Sequence, residues 1–268
     1  MPVDRTLASI EDSAMPAIIP IPAFADNYIW LLRHDAKAAV VDPGDAAPVI
    51  ERLEREGIEL CAIVNTHHHG DHVGGNRGLL ARWPVPVFGP AHEQIPGRTR
   101  ALVEGDTFTL PGIGLELSVL DIPGHTSGHI ACVGRDVVFC GDTLFAAGCG
   151  RLFEGTPAQM LSSLDKLAAL PPGTRVYCGH EYTVSNLRFA LTVEPQSAAL
   201  RARLVREQAK RDRGEPTLPS TIGEEHETNP FLRSSDAGVR AAAVRHAGRD
   251  LPDRVSVFAE LRAWKNAF

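Results

Sequence analysis

Short apolar runs, each closed by glycine, proline or a polar cluster, alternate with stretches of helical spacing over the first two thirds of the chain. Ile18 to Pro22 and Tyr28 to Leu32 are two such runs, parted by the turn composition Phe24-Ala25-Asp26-Asn27. Ala38 to Val41 reads as a third strand, and Ala46 to Glu56 as a helix stopped by Gly57. Cys61 to Val64 is a buried strand, Asn76 to Trp83 a helix, and Val85 to Phe88 a short strand near a sheet edge because it carries Pro86. Strands follow at Thr107–Leu110, Leu115–Leu120, Ile130–Val133 and Val137–Cys140, the last two as a hairpin. Thr156-Pro157 has the composition of a helix N-terminus, and that helix runs to about Leu170. Arg175 to Cys178 is the final strand. Beyond it, 182–190, 197–213, 235–247 and 253–264 are helical in composition, with no further convincing strand. The pattern predicts an α/β domain over residues 15–180, a smaller helical domain over 181–268, and a loose extension over 1–14.

Composition narrows the function. Hydrophobic residues make up 44% and charged residues 22%, as expected of a globular protein with a sizeable core. The net charge of −6 argues against a nucleic-acid binder. It is unevenly spread: 13 basic against 21 acidic residues up to Gly179, then 14 against 12. An anionic ligand would find its partner more readily in the C-terminal part. Five cysteines without a CxxC pair suggest reduced thiols and a cytoplasmic protein. No apolar run has the length of a membrane span, and the first fifteen residues do not read as a signal peptide, so no membrane partner is expected.

The chemistry concentrates in Thr66-His67-His68-His69-Gly70-Asp71-His72, directly after a buried strand. A cluster so polar has no packing purpose there, and its N and O donors are those that borderline metals prefer. His125, Asp142 and His180 each lie just past another strand, each preceded by glycine. With His67, His69, Asp71 and His72 they supply seven donors, more than one tetrahedral ion needs. Two divalent metal ions with Asp142 shared between them fit that number. His129, four residues after His125, reads as either a support behind the ligands or a simple strand residue, with the second favoured.

His67-His68-His69-Gly70-Asp71-His72 with His125, Asp142 and His180 resembles the signature of the metallo-β-lactamase superfamily. Within it, Phe24 to Tyr28, Gly148 to Thr156, Gly179 to Thr183 with Asn186-Leu187, and Asn229 to Arg233 resemble the glyoxalase II (hydroxyacylglutathione hydrolase) family over roughly residues 15–268. The resemblance implies an αββα sandwich followed by a helical substrate domain. It implies one metal on His67, His69 and His125, a second on Asp71, His72 and His180, and Asp142 bridging. Zinc is the expected metal, with iron or manganese as alternatives. The implied reaction is hydrolysis of the thioester S-D-lactoylglutathione to glutathione and D-lactate, in methylglyoxal detoxification, by a hydroxide bridging the two metals. Asp71 and Asp142 would be catalytic, and Arg151, Phe153, Tyr182 and Arg233 would meet the glutathione thioester. The family often has tyrosine at the position of Phe153, and some relatives carry a lysine shortly after the Arg233 position, where Asp236 lies here. A monomer is expected. The alternatives are a single-iron persulfide dioxygenase, another thioesterase of this fold, or a binding module without metal.

Overall fold

The computed structural model describes residues 15–268, so the expected extension over 1–14 lies outside the described residues. Strands β1 (Ala17–Ala23), β2 (Asn27–His34) and β3 (Lys37–Val41) lead into helix α1 (Ala46–Glu56). Then come β4 (Glu59–Val64), the short helices α2 (Gly70–Val73) and α3 (Asn76–Leu80), β5 (Val87–Pro90) and β6 (Arg100–Leu102). These six strands form one sheet in chain order. The alternation along β2 explains its place. Trp30 and Leu32 point to one core, Ile29 and Leu31 to another. Such two-sided burial belongs to strands covered on both faces. The outer core is closed by Val49 and Leu53 of α1 and Leu79 of α3.

The second sheet is built from β7 (Thr107–Thr109), β8 (Glu116–Asp121), β9 (Ile130–Gly134) and β10 (Val137–Gly141), extended beyond a small hairpin, β11 (Leu144–Phe145) and β12 (Gly148–Cys149). After α4 (Pro157–Ala168), β13 (Arg175–Cys178) pairs with β10 in parallel. Threonine 156 caps α4 in a reciprocal capping box with Gln159, and Pro157 opens it, as the sequence suggests. Leu117, Val119, Val138 and Val176 of this sheet share a core with Trp30, Leu32, Val41 and Val64 of the first. Two sheets thus pack face to face, with α1 and α3 outside the first and α4 packed against the shared core.

The C-terminal part holds α5 (Thr183–Val193), α6 (Ala198–Asp212), β14 (Ser220–Thr221), α7 (Ile222–Thr228), α8 (Ala237–Ala247) and α9 (Arg254–Ala267). The expectation of no further strand misses β14, which pairs with β13 and forms an edge of the second sheet. A two-residue strand has no periodicity to read; it exists only because β13 offers it a partner. Val85–Phe88 also shifts: the strand is 87–90, next to the outermost β6.

Strands β3, β4 and β5 run parallel, as do β10 and β13, while β8 and β10 are each antiparallel to β9. The C-terminal ends of β3 and β4 therefore lie together in one sheet, and those of β8, β10 and β13 in the other. Tyr28 N donates to Gly179 O (2.8 Å) and Trp30 Nε1 to Cys178 O (2.9 Å), which joins the two sheets beside those ends.

Candidate metal centre

Seven donors from four stretches of chain converge at that edge. His69 Nδ1 lies 3.2 Å from His67 Nε2 and 3.0 Å from His125 Nε2. Asp71 Oδ2 lies 3.6 Å from His72 Nε2 and 3.5 Å from His180 Nε2. Each triad is a three-donor group, and Asp42 forms a third with His67 and His72. Asp142 stands between the two triads: Oδ2 is 3.4 Å from His125 Nε2 and 3.2 Å from His180 Nε2, and Oδ1 is 3.4 Å from His72 Nε2. Close backbone approach makes this possible. A Cβ on Gly179 would come within 2.6 Å of Asp142 Oδ1, and Gly141, at φ +46°, would drive one to 2.2 Å from Thr66 Oγ1.

The far nitrogen of most of these imidazoles is tied down. His67 Nδ1 donates to Thr66 Oγ1 (3.0 Å), His72 Nδ1 to Asp42 Oδ2 (3.1 Å), His125 Nδ1 to Arg151 O (2.9 Å) and His180 Nδ1 to Asp26 Oδ1 (2.8 Å). Each bond fixes the tautomer that turns a bare Nε2 to the centre. Asp42 also accepts from Thr66 N and Oγ1, both at 2.8 Å, and Asn27 Nδ2 donates to Asp71 Oδ2 at 3.0 Å. Asp26 and Asn27 stand in a stretch that carries the family resemblance but had no role assigned at the site, and Asp42 was not singled out from the sequence. Asp42 carried a usable signal, because it directly follows an apolar strand as Asp142 does.

His129 is not the plain strand residue expected. It is buried, stacks on His67 at 4.5 Å, and its Nε2 accepts the backbone N–H of Asp142 at 3.1 Å. Its Nδ1 donates to Ile130 O (3.0 Å). Burial, with His125 beside it, holds its pKa well below the ordinary value, so it stays neutral and able to accept. His68 turns away from the donors, with Nδ1 3.0 Å from Glu93 Oε2.

The same burial keeps His67 and His125 neutral. It opposes charge on His72 as well, but Asp142 and Asp42 outweigh it and hold His72 well above its ordinary value. Burial would raise Asp142, yet His72 and His180 hold it well below. His72 Nε2 and Asp142 Oδ1 are buried 3.4 Å apart, and neither has a hydrogen-bond partner among the described residues. Buried polar atoms are rarely left this way. Nitrogen and oxygen donors in triads, with orphaned atoms aimed inward, fit divalent metal ions.

The triads open into a cavity of about 860 Å³. His69, Asp71, His125, Asp142 and His180 line it, as do Arg151, Phe153 and Tyr182. Tyr182 stacks flat on His180 at 4.7 Å; burial and Asp26 push its pKa up to about 12, so its hydroxyl keeps its proton. Phe153 is 63% exposed and sets its edge against His69 and His125. Arg233 is not among the lining residues. It pairs with Glu194 at 2.6 Å and with Asp236, inside the helical part. The further cations at the cavity are Arg262 and Lys265 of α9. Arg262 donates to Cys149 O at 2.6 Å, which ties α9 to the β11–β12 hairpin. Their spacing on a helix is that of any polar pair, so only packing reveals them.

Residues 24–180 match the metallo-beta-lactamase superfamily, and residues 181–268 match the family described as hydroxyacylglutathione hydrolase C-terminus. The chain is 59% identical over 254 residues to a hydroxyacylglutathione hydrolase of Alkalilimnicola ehrlichii, covering 94% of this chain and 99% of that one. It is 58% identical over 266 residues to the enzyme of the same name from Cupriavidus taiwanensis, covering 95% and 100%. Among solved structures it is similar to TTHA1623 in a di-iron-bound form, at 27% identity and a TM-score of 0.55, covering 81% of this chain and 99% of that one. ETHE1 from Myxococcus xanthus shares the fold at a TM-score of 0.63 and 23% identity, covering 94% and 99%. The triads at the sandwich edge, the helical part that closes the cavity and these likenesses agree: the chain belongs to the hydroxyacylglutathione hydrolase family, the glyoxalase II branch of the metallo-β-lactamase superfamily.

Proposed function

We propose that this enzyme hydrolyses S-D-lactoylglutathione and related 2-hydroxyacylglutathiones to glutathione and the 2-hydroxy acid, as a monomer in the cytoplasm, and so serves methylglyoxal detoxification. One observation carries the reading: two donor triads with Asp142 between them border a cavity that Arg151, Arg262 and Lys265 also line. His67, His69 and His125 would hold one divalent cation, Asp71, His72 and His180 another, and Asp142 both. Zinc suits the donors, and the di-iron form of TTHA1623 supports a pair of ions and leaves iron open. When bound, such a pair lowers the pKa of water toward neutrality and polarises a carbonyl oxygen.

The chain's own residues supply the rest. The Asp71 carboxylate is oriented by Asn27 and opens on the cavity, where it takes the proton of the attacking water. Tyr182 offers a hydroxyl that stays protonated, a hydrogen-bond donor to the glutathione part. Arg151, Arg262 and Lys265 meet its carboxylates. The leaving thiolate has an ordinary pKa near ~8.5, so it departs without a strong acid, and no Ser or Cys nucleophile is required. The buried thiols support this: burial raises Cys132, Cys140, Cys149 and Cys178 and leaves them unreactive.

The test is the loss of thioester absorbance with S-D-lactoylglutathione before and after chelation. Activity is expected to fall to background on metal removal and return with added divalent metal. Hydrolysis that survives complete stripping overturns the proposal. Oxygen uptake with glutathione persulfide would favour the dioxygenase alternative, against which the two complete triads argue.

A further inference from the structure

The Glu93 carboxylate is buried, its side chain only 2% exposed, and among the described residues no lysine or arginine pairs with it. It lies in the loop after β5, yet it bonds no part of that loop. Arg98 serves the loop instead, donating to the main-chain carbonyls of Pro90 and Glu93. All the carboxylate's partners come from elsewhere. Oε2 accepts from His68 Nδ1 at 3.0 Å, between His67 and His69. Oε1 accepts from Thr126 Oγ1 and from Gly128 N at 3.1 Å, one and three residues past His125. Gly128 has to be glycine for this, since a Cβ there would fall 2.6 Å from Glu93 Cγ. An outer strand, Ser127 N to Glu154 Oε2 at 2.7 Å with Glu154 3.5 Å from His68 Nε2, runs parallel to it at the surface.

A buried carboxylate is costly unless hydrogen bonds satisfy it. Here every donor sits in one of two loops that together supply the whole of one triad. We propose that Glu93 is a positioning residue that sets the spacing between the His67–His69 loop and the His125 loop, and through it the hold of that triad on its cation. The other triad is supported by Asn27 at Asp71, Asp26 at His180 and Asp42 at His72, the last of which also holds Thr66; among the described residues none of these bonds runs to Glu93. The tether therefore acts on one of two metal positions. This inference rests on the two-cation reading above.

The experiment follows metal release from the loaded, full-length chain at equilibrium against a chromophoric chelator, with zinc as the probe. Glu93→Gln keeps the side-chain volume and removes one acceptor; Thr126→Val breaks the same tether from its other end. In each, one equivalent of zinc should be lost at a chelator concentration about 10- to 100-fold lower than in the wild type, the cost typical of losing a group that orients ligands. The second equivalent should be released as in the wild type. Equal shifts of both equivalents overturn the tether, as does a lower melting temperature with zinc retention unchanged. A wild-type chain that holds fewer than two equivalents overturns the two-cation reading and the tether with it. Two equivalents in the wild type, held alike by both variants, overturn the tether alone.

Discussion

Lys265 shows how one residue's surroundings set a pH response. Burial, with Arg262 and Arg151 beside it, lowers its pKa from 10.5 to about 8. The ammonium that would meet a substrate carboxylate is present below that value and lost above it. KM for the thioester should therefore rise between pH 7 and pH 9, and the rise should vanish in Lys265→Met. The sign for stability is opposite. A lysine with a depressed folded pKa releases its proton in the folded state first, so the fold gains stability from about pH 8 to 10.5. A rising KM without a falling melting temperature separates the two effects. Arg262→Ala should raise KM at least ~10-fold with a smaller effect on kcat, the pattern of lost ground-state binding. Arg233→Ala should leave KM within about twofold and cost stability instead, on the order of 1 kcal/mol for a partly exposed ion pair with Glu194. At this scale the sequence carried the seven donors, because each follows a strand and the residue types leave little else to do there. It could not carry Arg262 over Arg233. Both are arginines in helical, polar surroundings, and only the packing of α9 against Cys149 distinguishes them.

At the scale of elements, most of the longer segments were legible, but the seven-residue α7 was not, and of the strands of two or three residues only β7 was. Arg175 to Cys178 and Ala46 to Glu56 coincide with β13 and α1 because burial on both faces and a clean glycine stop leave unambiguous patterns. β6, β11, β12 and β14 span two or three residues and form only where a neighbour supplies hydrogen bonds. The link between sheets is equally a product of assembly. Trp30 Nε1 reaches Cys178 O from the other sheet, and its ring meets Tyr177 edge-on at 4.8 Å. Trp30→Phe should lower stability by about 1–3 kcal/mol, since the bond and packed volume are lost together. Urea unfolding monitored by circular dichroism measures it. The two strand ends it joins carry His180 and Asn27, so metal retention should fall in the same variant.

Across the whole molecule, the helical part is not an appendage. Phe231, Phe258 and Leu261 belong to the same buried core as Leu117, Val138 and Val176, and β14 completes the second sheet. The buried pair Arg203–Glu225 adds a further tie, with Glu225 accepting from Ala147 N in the β11–β12 hairpin. Calorimetry of the metal-loaded chain should show one cooperative transition rather than two. A fragment ending at residue 180 should fail to unfold cooperatively, because it exposes that shared core. Two resolved transitions would show that the parts fold independently.

By itself the sequence determined the chemistry: which residue types stand past which strands, and hence that N and O donors would gather at one site, the sandwich itself being implied by the family resemblance. That much is local, since strand ends and glycines are read within a few residues. The tertiary structure decided how the donors are supported and what faces them. Asp42 behind His72, His129 under Asp142, and Arg262 beside Cys149 are partners far apart in the chain or invisible to periodicity. Their roles come from distances that only the packed sheets and helices create, and no pattern of neighbours along the chain encodes a distance across it.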